Sequence, residues 1–283
     1  MSDEKPVPPR LTVLLAREAR TGVIFRRGPT DVVGVYGWDR AKGEVREGQW
    51  FRGRIYAYRS DLSPDGRHMI YFAGKGERAW TAVSRAPYIK ALDFMPQDDR
   101  WNGGGYFVND RFYMHDPSPF APGGVRERPL PDGYESPLKP YFRSGLTRKA
   151  VEPWQGECLG RLFPRLHRDG WTTRDDDDGP PFVWERPLKR GWRLRKLVHA
   201  TVDAPIGRGV YYETHVLVPP ERSDRETVER PDWEWADVAD DRLFWCANGC
   251  LLRGSVEAAI GEREPKLVHD FRGDSFKSLQ APY

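Results

Sequence analysis

Cys246 and Cys250 flank Ala-Asn-Gly, a spacing at which two thiols on a hairpin can face one another across the turn. With Cys158 or a nearby His they would supply part of a zinc site. Structural zinc commonly takes two such pairs, and the sequence holds one, so the thiols read as small residues packed beside a turn. Asp175, Asp176, Asp177 and Asp178 form a carboxylate run ahead of Gly179-Pro180-Pro181. Calcium loops alternate their ligands, so this plain run reads as a solvated connection. Of His68, His115, His167, His199, His215 and His269, no two are spaced for a metal, and none lies beside a Ser in a G-x-S-x-G elbow. His68, His199 and His215 fall in strand-like runs and should be satisfied within a sheet. His167, beside Arg168 and Asp169, is the one placed to act as an acid or base. Asn102-Gly103-Gly104-Gly105 leads into the strand-like Tyr106-Phe107-Val108, whereas a phosphate loop leads into a helix. No catalytic residue, cofactor or metal site is assigned.

Trp, Tyr and Arg dominate binding hot spots. Trp38, Arg59, Trp80, Trp101, His167, Arg168, Trp171 and Trp235, mostly near strand ends, are therefore the candidate partner-binding residues. The competing reading packs the same rings between sheets.

The elements that must position these residues read as short strands. The chain has 283 residues, 13% of them aromatic, with 28 Gly and 25 Pro, a balance that favours strands and turns over long helices. Short runs of four to nine residues, rich in β-branched and aromatic side chains and bounded by Gly, Pro, Asn or Asp, recur at 21–25, 31–38, 54–58, 68–73, 79–83, 105–108, 181–184, 193–199, 210–218, 242–247 and 250–253. Residues 11–15 are also strand-compatible, and helix signals are nearly absent.

The 45 basic and 42 acidic residues alternate almost everywhere and leave a net charge of +3, which argues against a nucleic-acid binder. The first nine residues, charged and rich in Pro, read as a flexible lead without the apolar core of a signal peptide. The longest apolar stretches fall far short of the roughly 20 residues of a membrane helix. Three cysteines are a sparse set for a secreted chain, so the expected compartment is the cytoplasm, with no disulfide.

Residues 61–74, D-L-S-P-D-G-R-H-M-I-Y-F-A-G, show the clearest local unit. A strand ends in Ser63, Pro64-Asp65-Gly66 turns, and the chain returns at His68, with Gly66 expected at positive φ. This S-P-D-G hairpin resembles the repeat unit of TolB-like and WD-repeat β-propellers, the match covering residues 56–84. Residues 166–171 and 235–245 echo it with Asp-Gly and acidic turns, and residues 37–43 mark another hairpin.

The resemblance implies an all-β, single-domain β-propeller over residues 10–283. At about 40 to 50 residues per blade and with the echoes present, it would have about five blades. Pro- and Gly-rich insertions would fall at 116–153, 174–180 and 219–231. The strand at 11–15 would complete the last four-stranded unit as a clasp, and residues 266–270 would begin a further blade. The alternative is a two-domain β-sandwich divided near 116–153. The function expected of such a disc is non-catalytic: binding or scaffolding, with loops presented to a protein partner and no cofactor. The alternatives are a glycosidase-like hydrolase with carboxylates in a central channel, and a structural subunit of a larger assembly.

Overall fold

The computed structural model describes residues 7–28, 31–101, 103–107, 112–115, 126–129, 158–173, 180–205 and 208–283. The acidic run 175–178, most of the lead 1–9 and most of the insertion 116–153 lie outside the described residues. The chain divides into two compact units. The first comprises Val13–Asp169 with Ser275–Tyr283, the second Met1–Thr12 with Gly170–Asp274.

Among the described residues, four of the five sheets follow sequence order strand by strand, and the second departs from it in its first two strands. The strands β1 (Arg10–Leu15), β2 (Thr21–Arg27), β3 (Val32–Asp39) and β4 (Glu44–Arg52) pair in sequence order. A second sheet holds β5 (Arg54–Ile55), β6 (Asp61–Leu62), β7 (His68–Lys75), β8 (Arg78–Arg85) and β9 (Ala91–Gln97), in which β5 and β6 both pair with β7. A third holds β10 (Gly105–Phe107), β11 (Phe112–His115) and β12 (Arg126–Pro129). After helix α1 (Leu159–Arg168) come β13 (Thr172–Thr173), β14 (Phe182–Pro187), β15 (Arg193–Ala200), β16 (Tyr211–Val218) and β17 (Val228–Arg230). The last sheet is β18 (Trp233–Ala239), β19 (Arg242–Ala247), β20 (Cys250–Gly254) and β21 (Lys266–Asp270), with the short α2 (Val256–Ala259) before β21.

The core of the first unit follows from alternation along β7. Met69, Tyr71 and Ala73 pack with Val23, Phe25, Val33 and Val35 of the first sheet. Ile70, from the opposite face, packs with Val83, Met95 and Phe107. A strand covered on both faces is apolar on both, which is why Met69, Ile70, Tyr71, Phe72 and Ala73 read as an unbroken apolar run. The S-P-D-G turn forms as expected: Gly66 N–H donates to the Ser63 carbonyl at 2.8 Å, and Gly66 has φ +74°.

The β-propeller of about five blades is overturned, and with it the WD-repeat-like description. What forms is a set of separate open sheets of three to five strands, none of which closes or curls. The clasp is also wrong. Residues 11–15 pair with β2, and the fourth strand of the last sheet is the one at Lys266–Asp270. A local turn decides this: Ala16 N–H bonds the Thr21 carbonyl at 3.1 Å, and a loop that short costs far less closure entropy than a terminal strand brought back across the chain.

Helix α1 lies where an Asp-Gly strand turn was expected. Pro164 cannot donate to the Gly160 carbonyl, and the Arg161 guanidinium does so instead at 3.1 Å. Arg168 pairs with both oxygens of Asp61 at 2.5 and 2.9 Å and with Asp169 at 2.9 Å, and Arg17 takes the other oxygen of Asp169 at 2.9 Å. Burial would raise the Asp169 carboxyl, but the two guanidinium groups hold it well below the usual range.

Candidate functional site

A groove of about 660 Å³ opens on the second unit. One wall is the turn between β14 and β15, closed by Leu188 N–H on the Trp192 carbonyl at 2.7 Å. Arg190 in this turn has φ +58°, a left-handed conformation that a side chain resists. A second wall is the β18–β19 hairpin, whose Asp240 and Asp241, at φ +50° and +58°, take the paired left-handed conformation of a tight hairpin turn. The last wall is α2 with the loop that follows it. Gly254 brings α2 down onto the sheet: a Cβ there would lie 2.7 Å from Ala258 Cβ and 3.0 Å from the Trp245 ring. Trp245 in turn stacks on Trp233, with centroids 4.9 Å apart.

Six cations line this groove: Lys189, Arg190, Arg242, Arg253, Arg263 and Lys266. Three acids, Asp241, Glu257 and Glu264, accompany them. The excess of cations in this one place matches the +3 of the entire chain, so the near-neutral average conceals a local patch. Arg190 reaches Glu257 at 2.5 Å. The Ser255 side chain and a backbone hydrogen bond, with Arg190 and Arg263 nearby, lower the Glu257 pKa. Among the described residues Lys189, Arg242, Arg253 and Lys266 have no side-chain hydrogen bond or ion pair. Arg253 and Lys266 stand directly opposite one another on β20 and β21, a like-charge pairing that costs a sheet stability. Apolar Val238, Leu243, Val256 and Ala258 lie among the charges. The arrangement suits an anionic ligand with some apolar surface.

A second polar cluster is sealed inside the same unit. Alternation sends Leu194, Lys196 and Val198 of β15 inward, and Glu213, His215 and Leu217 of β16 with them. Lys196 stands opposite His215, and its ammonium bonds Glu213 and lies 5.0 Å from the Trp171 ring centroid. His215 Nδ1 lies 3.3 Å from the Trp233 carbonyl, and its Nε2 lies 3.6 Å from Glu213. Burial, then the Lys196 charge, keep the His215 pKa well below its ordinary value. Glu213 and His215 were legible as an inward i, i+2 pair on an alternating strand, whereas Lys196 gives no sign of burial by its type.

Of the eight candidate partner-binding residues, Trp171 and Trp235 belong to the second unit and the other six to the first. Trp38, Arg59, Arg168, Trp171 and Trp235 are buried. Arg59 donates to Cys158 Sγ at 3.4 Å and to the Arg100 carbonyl at 2.8 Å, between the rings of Tyr56 and Phe72. Trp80 is half-buried between Phe51 and Phe94. His167 is exposed at the end of α1, and Trp101 is 70% exposed. Cys246 and Cys250 do not face one another. Their registers, Cys246 opposite Leu251 and Ala247 opposite Cys250, put the thiols on opposite faces of the hairpin. Among the described residues no group of three or more His, Cys, Asp or Glu is placed to hold a metal, and no helix is long and apolar enough to cross a membrane.

No protein-family model matches the chain, and no curated protein matches its sequence. Among solved structures, the chain has distant, partial similarity to an uncharacterized protein from Listeria monocytogenes EGD-e, at 10% identity and TM-score 0.32, over 86% of this chain and 62% of that one. TolB from Acinetobacter baumannii matches at 11% identity and TM-score 0.34, over 87% of this chain and 52% of TolB. The β-propeller domain of the Trilobed protease from Pyrococcus furiosus matches at 9% identity and TM-score 0.32, over 90% and 70%. The chain thus spans less than two thirds of the length of the first two.

Proposed function

We propose that this chain is a non-catalytic binding protein whose basic groove holds an acidic, partly apolar segment of a partner protein. The observation that carries this reading is the set of four cations on one concave surface that have no side-chain partner among the described residues, two of them set against each other across β20 and β21. A charge pattern that costs the fold stability and is met by no acid among the described residues is explained by a charge that arrives from outside. The partner is a polypeptide rather than a nucleic acid because Asp241, Glu257 and Glu264 interrupt the cations and would repel a phosphate backbone. The apolar Val238, Leu243 and Val256 give Leu- or Val-like side chains a place between the charges.

Fluorescence anisotropy of a labelled ten-residue peptide alternating Glu and Leu tests the reading. Binding to the full chain should weaken as salt rises. A chain carrying Arg253→Glu and Lys266→Glu should bind about tenfold more weakly or worse. Undiminished binding by that variant would remove the groove from the account. Competition by inorganic phosphate at similar concentration would replace the peptide by a small anion.

A further inference from the structure

The segment Ser275–Tyr283, S-F-K-S-L-Q-A-P-Y, forms neither helix nor strand, yet it is held on the first unit by contacts at Phe276, Lys277, Leu279 and Tyr283. Phe276 packs edge-on against Trp50 at 6.3 Å, with the Arg52 guanidinium 4.1 Å from its ring centroid. Lys277 pairs with Glu47 at 2.6 Å. The Leu279 carbonyl accepts from Gln49 Nε2 at 3.0 Å. The Tyr283 hydroxyl accepts from the Arg85 amide at 3.0 Å and donates to the Lys90 carbonyl at 2.7 Å, while Lys90 Nζ bonds the Tyr283 carbonyl. The Tyr88 ring closes the socket at 6.2 Å.

The receiving groups are aimed by bonds that do not involve the segment. Gln49 Oε1 accepts from the Ile89 and Lys90 amides at 2.8 and 3.2 Å, which turns its NH₂ outward. Trp50 Nε1 donates to Glu47 Oε1 at 2.6 Å, which leaves the other oxygen for a cation. The loop carrying the Tyr socket is tied down by Tyr71 and Ser84, whose hydroxyls donate to the Ile89 and Tyr88 carbonyls, both at 2.6 Å. Gly48 admits this loop onto β4: a Cβ there would lie 2.3 Å from the Pro87 carbonyl oxygen. A surface organised in advance, holding a segment by separate side-chain anchors and no strand ladder, has the construction of a peptide-recognition site.

We propose that this face of the first unit is a recognition site for an extended segment of a partner protein that carries Phe-Lys and, six residues after the Lys, Tyr, and that residues 275–283 are its intramolecular occupant. The proposal is independent of the basic groove, which belongs to the other unit. A tethered occupant competes at an effective concentration of the order of millimolar, so a free peptide enters only when the tether is weakened or the peptide is in large excess.

The test uses the full chain and the labelled peptide SFKSLQAPY. A chain carrying Phe276→Ala and Tyr283→Ala should bind the peptide about tenfold more tightly than wild type, and adding Gln49→Ala should abolish that gain. Equal binding to wild type and double variant would overturn the proposal, as would no binding by a double variant that melts like wild type. Should that variant not fold, hydrogen–deuterium exchange of residues 276–283 in the wild-type chain decides. Excess peptide should accelerate exchange there and a Tyr-to-Ala peptide should not. An unchanged rate with the unaltered peptide would overturn the proposal.

Discussion

Arg253 and Lys266 face one another directly across β20 and β21, and among the described residues neither has an acidic partner. Placing like charges at a cross-strand pair costs about 0.2 to 1 kcal/mol, and an opposite-charge pair at the same place gains a similar amount. Lys266→Glu should therefore raise stability by up to about 1 kcal/mol while weakening acidic-peptide binding. Urea unfolding and anisotropy on the same preparation check both signs. A variant that loses stability and keeps its affinity would show that the pair is structural.

The buried pairing of Arg168 with Asp61 and Asp169 gives a prediction of the opposite kind. Arg168→Met leaves Asp61 without its guanidinium and Asp169 with Arg17 alone. Removing one partner of a buried ion pair costs roughly 3 to 5 kcal/mol. The urea midpoint should fall accordingly, with peptide binding at the groove unchanged wherever the chain remains folded.

Gly66 sits at φ +74°, and a Cβ there would come 1.9 Å from Thr21 Oγ1. Gly66→Val should lower stability by about 1 to 3 kcal/mol, from backbone strain together with that contact. A melting temperature within a degree of wild type would contradict the turn.

That turn was legible because Pro, Asp and Gly each impose a local dihedral or hydrogen bond. The strands were legible for a similar reason, since β-branched and aromatic runs between breakers need no tertiary information. Helix α1 was not, because Pro164 falls inside it and its Arg165 and Arg168 are buried, which inverts the usual polar-out pattern. The nine-residue β4 was missed because its Glu, Arg and Gln alternate with only a few apolar residues, mirroring a sheet face half-exposed to solvent. The site was hidden for a different reason. Lys189, Arg242, Arg253 and Lys266 are scattered over 78 positions in a chain full of Arg, and only the folding of the last two sheets brings them to one surface.

Two buried groups give opposite pH dependences. Burial raises the Glu234 carboxyl to about 7, despite the bond it accepts from the Leu11 amide. Its unfolded form ionises first, so stability falls as pH rises from about 4.5 to 7, by up to roughly 3 kcal/mol. Neutral His215 is kept from protonating by burial and by Lys196 and Arg208, so its contribution falls as pH drops below about 6.5. Glu234→Gln should gain on wild type as pH rises from 4.5 to 7 and hold that gain above. His215→Gln should gain on wild type as pH falls below 6.5. Denaturant midpoints at pH 4.5, 6 and 8 separate the two, and parallel curves for all three chains would contradict both assignments.

Hydrogen–deuterium exchange of the full chain, with and without the acidic Glu-Leu peptide, tests the groove most directly. The account predicts added protection in the Leu188–Trp192 turn and across Arg253–Ala259, with little change on the first unit. Protection elsewhere, or none at concentrations where the peptide is bound, would contradict it.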